Sequence, residues 1–380
     1  MVVRPSPLRL LMVSTSYPAN LSDWRGVFMH HLADALARRD DLHLSLWAPP
    51  GETHSAIRAT ATAAESAWLG ALMQAGGIAH LLRTGGVRRV TAPLALVRKL
   101  RRVYRRAAPD TDLYHVNWLQ NALPLPANGK PVLITVLGTD MQLLRLPLMR
   151  VLLRRVCRQR RAIICPNADW MTAPLASAFG DLAQIRMIPF GIDPHWYALE
   201  RRFRHGDAAR WLVVSRLTRD KIGPLFEWCE LHFRNTARQL HLFGPMQETL
   251  SLPDWVHYHG PATPDQLLNE WFPSAQGLIT LSRHAEGRPQ VMLEAMAAGL
   301  PIIASRLPAH EDLLQHQQTG WLCESPAGLG SALATLEDAT TNQRIGAAAR
   351  TWVREAVGTW DDCAARYSAL YRQLTGTGSE

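Results

Sequence analysis

The sequence predicts an α/β protein made of two parallel-sheet domains, and three observations carry that prediction. At about 150 residues per domain, a chain of 380 residues is too long for one ordinary core. Short apolar runs, such as 9–16, 132–137, 162–166 and 277–281, alternate with longer segments of helical periodicity. The stretch from Thr280 to Ser305 also reads as a parallel crossover: a strand, a loop, a helix that Pro289 opens and Gly299 with Pro301 stops, then a second strand. Ligands of such sheets bind beyond the carboxyl ends of the strands. Glu286 falls in that loop.

The first strand, Arg9 to Ser16, runs into a loop and then a helix from about Gly26 to Arg38 with Phe28, Leu32, Ala35 and Leu36 on one face. No Gly-x-Gly-x-x-Gly follows the strand, so a dinucleotide-binding dehydrogenase is not supported. A second strand, 42–47, alternates, and a long region from Pro49 to Ala108 ends in a basic helix with Leu94, Leu96, Val97, Leu100, Val103 and Tyr104 as its apolar stripe. Asp112 to Trp118 is a strand entering a loop; His115 within it is either a core histidine or a site residue. Strand 132–137 leads to Gly138-Thr139-Asp140. A second basic helix, about Leu146 to Gln159, groups Leu148, Val151, Leu152 and Val156, and Asp169 is placed to cap the helix from Trp170 to Phe179. The turn Pro189-Phe190-Gly191-Ile192-Asp193 marks a domain boundary, with a polar linker from Glu200 to Ala208 behind it.

The second domain opens on strand 209–214 and Ser215-Arg216-Leu217, followed by Lys221 and Gly223; an arginine fork and a lysine charge leaving a strand end suit a diphosphate. Gly244, His259 and Gly260 lie at the ends of the next two strands, and Thr263 caps the helix after them. The tail from Ala347 to Leu374 is helical.

Composition narrows the classes. No run of about 18 uncharged apolar residues occurs, so no membrane-spanning helix is expected, and residues 8–15, broken by Arg9, do not resemble a secretory signal. A cytoplasmic location is the expectation. The five cysteines are scattered and odd in number, with no Cys-x-x-Cys, and no His-Glu-x-x-His occurs, so reduced thiols, no metal and no cofactor are expected. Net charge is +9, and the excess is concentrated. Residues 66–109 contain no acid but hold Arg83, Arg88, Arg89, Arg98, Lys99, Arg101, Arg102, Arg105 and Arg106; residues 145–161 repeat the pattern with Arg145, Arg150, Arg154, Arg155, Arg158, Arg160 and Arg161. Basic amphipathic segments bind anionic surfaces. Lipid, nucleic acid and plain solvation of the arginines are the three readings.

The combination Ser282, Glu286-Gly287, Pro289, Glu294-Ala295 and Gly299-x-Pro301, with seven residues between its two glutamates, resembles the retaining glycosyltransferases of family 4 (glycosyl transferases group 1). The likeness extends to Arg216, Lys221 and Gly223, with Ser215 where relatives have glycine and Ile222 inserted, and to Gly26 before the first helix. It departs at Leu137, where many relatives carry an aromatic residue or histidine, and at Phe190, where they carry asparagine.

The resemblance implies the GT-B fold: two Rossmann-like domains facing each other across a cleft, here 1–190 on the acceptor side and 191–355 on the donor side, with 356–380 as a helix returning to the first. It implies a metal-independent, retaining transfer from a nucleotide diphosphate sugar to a glycan or lipid-linked acceptor in surface polysaccharide or glycolipid synthesis. Glu286 would hold the donor sugar and, with Asp140, serve catalysis. Arg216, Lys221, Gly26 and Gly287 would take the diphosphate and Glu294 the ribose. Gly244, His259 and Gly260 would frame the base, and His115 and Asp140 the acceptor. The expected partners are the nucleotide sugar, the acceptor and an anionic membrane on whose inner face the protein sits peripherally, with no nucleic acid. A sugar-nucleotide epimerase of the same fold, or a basic nucleic-acid-binding protein, is the alternative. The arginines lack the interleaved aromatics of a base-stacking surface.

Overall fold

The computed structural model describes residues 6–77, 86, 88–202 and 208–376; Arg83, the side chains of Arg88 and Arg89, and residues 203–207 of the linker lie outside them. The chain divides into two compact units, Met1–Phe190 with Trp360–Glu380, and Gly191–Thr359.

In the first unit, seven strands pair in parallel in the order β3-β2-β1-β4-β5-β6-β7. They are β1 (Leu8–Val13), β2 (Leu42–Trp47), β3 (Arg58–Ala59), β4 (Leu113–Asn117), β5 (Val132–Val136), β6 (Ala162–Pro166) and β7 (Gln184–Ile185). The central strands β4, β5 and β6 are buried at every position and mainly apolar, because both faces of the sheet are covered. Leu11 and Val13 enter one core with α2 (Ala63–Gln74), α3 (Arg88–Ala107), α4 (Pro147–Arg158) and α5 (Thr172–Phe179). Leu10 and Met12 enter the other with α1 (Val27–Ala37) and the chain's last helix, Trp360–Thr375. That last helix buries Trp360, Cys363, Ala364, Tyr367, Tyr371 and Leu374, a helical stripe. Arg38 with Asp361, and Arg372 with Asp41, are ion pairs at its rim.

The second unit repeats the plan with six parallel strands in the order β10-β9-β8-β11-β12-β13. They are β8 (Arg210–Val214), β9 (Gln239–Phe243), β10 (Val256–Gly260), β11 (Gly277–Thr280), β12 (Ile302–Ser305) and β13 (Trp321–Cys323). Helices α6 (Leu225–Phe233) and α8 (Pro326–Leu336) cover one face; α7 (Gln290–Ala297) and α9 (Ala339–Ala356) cover the other. With the last helix as α10, both units are Rossmann-like. Each sheet order reverses once, between β1 and β4 and between β8 and β11, which leaves a crevice at the strands' carboxyl ends.

Two local expectations fail. Asp169 does not cap α5: it opens a separate 3-10 turn, and α5 begins at Thr172 behind Met171 with no side-chain cap. The stripe assigned to the second basic helix is also not its inner face. Leu153, Val156 and Cys157 are buried and Met149 packs beside them, whereas Leu148, Val151 and Leu152 are exposed. Helix α4 has apolar residues on two faces, and periodicity alone did not say which one the core would take. All five cysteines are buried and free.

Candidate functional site

The site is built where the second sheet reverses, from the loops that leave β8 and β11. After β8, the Thr218 hydroxyl accepts the Lys221 N–H at 3.2 Å and so caps a helical turn, Arg219–Ile222. Gly223 ends that turn at φ +54°, and a Cβ there would stand 2.1 Å from the Leu281 carbonyl oxygen. Only glycine lets the two backbones approach so closely. The contact is reinforced by the Arg283 N–H, which donates to the Asp220 carbonyl at 2.7 Å. The two loops therefore form one piece of structure.

This junction brings Lys221 against Glu286, with Nζ and Oε2 2.5 Å apart and side chains only 13% and 18% exposed, so water screens the pair weakly. Burial pulls the Lys221 pKa below the usual lysine range against the pull of Glu286, and Arg216 nearby adds to the lowering. Arg216 itself follows β8 and lies within hydrogen-bonding reach of Gln247 at 3.5 Å. Two residues that the resemblance gave separate tasks, sugar and diphosphate, are thus in direct contact. His284, which the motif reading passed over, is half-buried beside them; burial and then Lys221 hold its pKa below the ordinary histidine value. Its signal was its place inside the motif, two residues before Glu286.

Gly287 is buried directly ahead of α7, whose N-terminus has Pro289 at the cap position and no side-chain cap. Such a helix start offers N–H groups to an anion. The helix is tied at both ends. Gln290 donates to the Gly191 carbonyl at 2.9 Å; at the other end Arg350 donates to the Ala298 carbonyl at 2.6 Å and Arg201 to the Gly299 carbonyl at 3.0 Å. Two guanidinium groups at the carbonyl end complement the helix dipole. Neither arginine stood out in the sequence, because their partners, backbone carbonyls and for Arg201 also the Asn342 side chain, lie far along the chain.

Glu294 projects from the middle of α7 with its carboxyl pushed up to about 8 by burial and then by the charge of Asp193. Asp193 caps the turn Pro194–Ala198 and pairs with His195 at 2.7 Å. At the ends of β9 and β10, Gly244 has φ +134°, and a Cβ would lie 1.8 Å from the Ser215 carbonyl oxygen; its N–H donates to the Gly260 carbonyl at 2.8 Å. Gly260 has open space at its Cβ position. His259 stacks on Phe243 with ring centres 4.8 Å apart and bonds His241 at 2.9 Å, beside Trp271. Its ring is engaged in a cluster on the edge strand.

In the first unit Gly26 has φ +77° and starts α1 against the loop after β1; a Cβ would meet the Ser16 hydroxyl oxygen at 2.5 Å. The two residues expected on the acceptor side are both buried. Of the two readings of His115, the structure has the core histidine: it has no exposed surface, is bonded to Thr135 at 2.8 Å and Tyr371 at 2.7 Å, and burial lowers its pKa to about 3. Asp140 is 3% exposed, and its two oxygens accept the Leu119 and Leu137 N–H groups, each at 3.1 Å. Burial raises its pKa to about 6 against those donors. Its carboxylate braces the loops of Leu119 and Leu137. Among the charged groups, Arg106 pairs with Glu65 at 2.9 Å and Arg154 with Asp181 at 2.5 Å, so the basic helices are in part neutralised from elsewhere in the unit.

Residues 209–338, which contain Arg216, Lys221, Glu286 and Glu294, match the family model of the glycosyl transferases group 1. The chain is 27% identical over 303 residues to a Mycobacterium tuberculosis GDP-mannose-dependent alpha-(1-6)-phosphatidylinositol monomannoside mannosyltransferase, covering 70% of this chain and 78% of that one. It is 28% identical over 169 residues to the Erwinia amylovora amylovoran biosynthesis glycosyltransferase AmsK, covering 40% and 41%. In fold it is similar to the sucrose-phosphate synthase of Thermosynechococcus elongatus, with a TM-score of 0.72 at 19% identity over 98% and 100% of the two chains. Anabaena HepE, solved with UDP, aligns with a TM-score of 0.66 at 14% identity over 97% and 100%. The two sheets thus give the chain the GT-B fold of these neighbours, and the second unit, with the motif loop, matches the glycosyl transferases group 1.

Proposed function

We propose that the chain transfers a sugar from a nucleotide diphosphate sugar, with retention and without a metal, to a hydroxyl of a glycan or lipid-linked acceptor. The observation that carries this reading is the Lys221–Glu286 pair beside the start of α7. A cation, a carboxylate and a helix N-terminus converge there at a sheet reversal. The diphosphate lies against Arg216, Lys221 and the N–H groups of Gly287 and α7, which meet the charge that grows as the glycosidic bond breaks. Glu286, oriented by Lys221, accepts hydrogen bonds from donor sugar hydroxyls, and Glu294 takes the ribose. The acceptor oxygen forms its bond to the anomeric carbon on the face that the diphosphate leaves, and the departing phosphate oxygen takes the acceptor's proton. No carboxylate nucleophile is needed. Two glutamates on one loop and helix do not flank a sugar from both sides, as glycosidase chemistry requires.

The basic helices α3 and α4 support a peripheral position on an anionic membrane, where lipid-linked acceptors reside. The mycobacterial relative's name pairs GDP-mannose with a phosphatidylinositol glycolipid, and HepE was solved with UDP, so GDP and UDP sugars are the first donors to test. The test is a screen of nucleotide sugars for thermal stabilisation, followed by transfer in the presence of a chelator and NMR of the product anomer. A matching donor at about 100 times its dissociation constant adds about 2.7 kcal/mol. An inverted anomer, or transfer abolished by the chelator, refutes the mechanism.

A further inference from the structure

Helix α4 shows the solvent a ridge that its own unit does not cover. Leu148 is 73% exposed, Val151 61% and Leu152 46%, and Leu146 just before the helix is 52% exposed. Their spacing puts the three helical residues on one face. Arg145, Arg150, Arg155 and Arg158 are exposed along the same segment, while Leu153, Val156 and Cys157 anchor the opposite face in the core. We propose that α4 seats the protein on an anionic bilayer by inserting Leu148, Val151 and Leu152 beneath the lipid phosphates while the arginines bind those phosphates. This deepens the membrane part of the proposed function and depends on it only for its purpose.

The charge selects the occupant. A second copy docking by the same face would set one row of arginines against another, a like-charge contact. Nucleic acid would find no aromatic ring on the ridge to stack on. An anionic lipid surface satisfies both features, since its phosphates face the arginines and its acyl region takes the leucines. On α3, among the described side chains, only Leu94 and Val97 are large apolar residues left exposed, at 53% and 37%, so its contribution is chiefly charge.

The test uses the full chain, vesicles of phosphatidylcholine with and without phosphatidylglycerol, and the variant Leu148→Ser/Val151→Ser/Leu152→Ser. The wild type should bind phosphatidylglycerol vesicles with a component that survives high salt, and the triple variant should lose about 100-fold in partitioning. Because the native thiols are buried, a polarity-sensitive maleimide dye on Val151→Cys should shift to the blue on those vesicles. The proposal is overturned if the wild type does not bind, if the triple variant binds equally well, if the dye does not shift, or if the wild type forms a dimer that the triple variant cannot. Nucleotide-sugar stabilisation should be equal in the two proteins. Its absence from both would count against the glycosyltransferase reading alone.

Discussion

Lys221 and Glu286 form a 2.5 Å ion pair across 65 positions of sequence, and each is more than four-fifths shielded from solvent. Removing one partner leaves the other charge in a poorly solvated place, whereas replacing both does not. Glu286→Ala should lower kcat by about 100-fold or more while the protein remains folded. In a cycle with Lys221→Met and Glu286→Gln, urea unfolding should show coupling of about 1–3 kcal/mol. Near wild-type turnover in Glu286→Ala would remove this pair from the chemistry.

Glu294 makes stability fall with rising pH. Its folded pKa of about 8 lies above the ordinary glutamate value of 4.5, so its contribution is complete below that value and is lost as pH rises through about 8. Glu294→Gln, which keeps the neutral shape, should therefore gain in Tm on the wild type across that interval. Thermal melts at a series of pH values check the sign. Parallel curves for the two proteins would contradict it.

His115 acts in the opposite direction. Burial holds it neutral down to about 3, below the ordinary 6.5, so its contribution is present above 6.5 and is lost as pH falls toward 3. His115→Phe should remove that part of the acid sensitivity and, by stranding the Tyr371 hydroxyl while Thr135 keeps Tyr367 as a partner, cost about 1–3 kcal/mol near neutral pH. The KM for nucleotide sugar should not move. A large rise in KM would return His115 to the site.

Gly223→Ala should disturb the site through the backbone. The new methyl would stand 2.1 Å from the Leu281 carbonyl at a positive φ, so the β8 and β11 loops would have to separate, taking Lys221 from Glu286. A rise of about tenfold or more in KM, with a loss of about 2 kcal/mol in stability, is expected. Gly129→Ala is the control, since φ there is +72° but the added methyl meets nothing within 4 Å. It should cost about 1 kcal/mol and leave the kinetics unchanged.

The α/β class, the motif loop and most of the charged residues of the candidate site were legible in the amino-acid sequence. Those signals act within a few residues: apolar runs for buried strands, a 3.6-residue period for helices, and glycine and proline at turns. Even the insertion of Ile222 before Gly223 was legible as a departure, and the turn Arg219–Ile222 shows how it is accommodated. Tertiary structure alone decided which distant groups meet. It set Lys221 on Glu286, closed His115 into a core with Tyr371 of the last helix, filled both oxygens of Asp140 with backbone donors, and chose the buried face of α4. Each outcome depends on strands and helices far apart in sequence becoming neighbours. A periodic pattern specifies that a face is apolar, but only the packed neighbours decide whether that face is buried or left toward solvent.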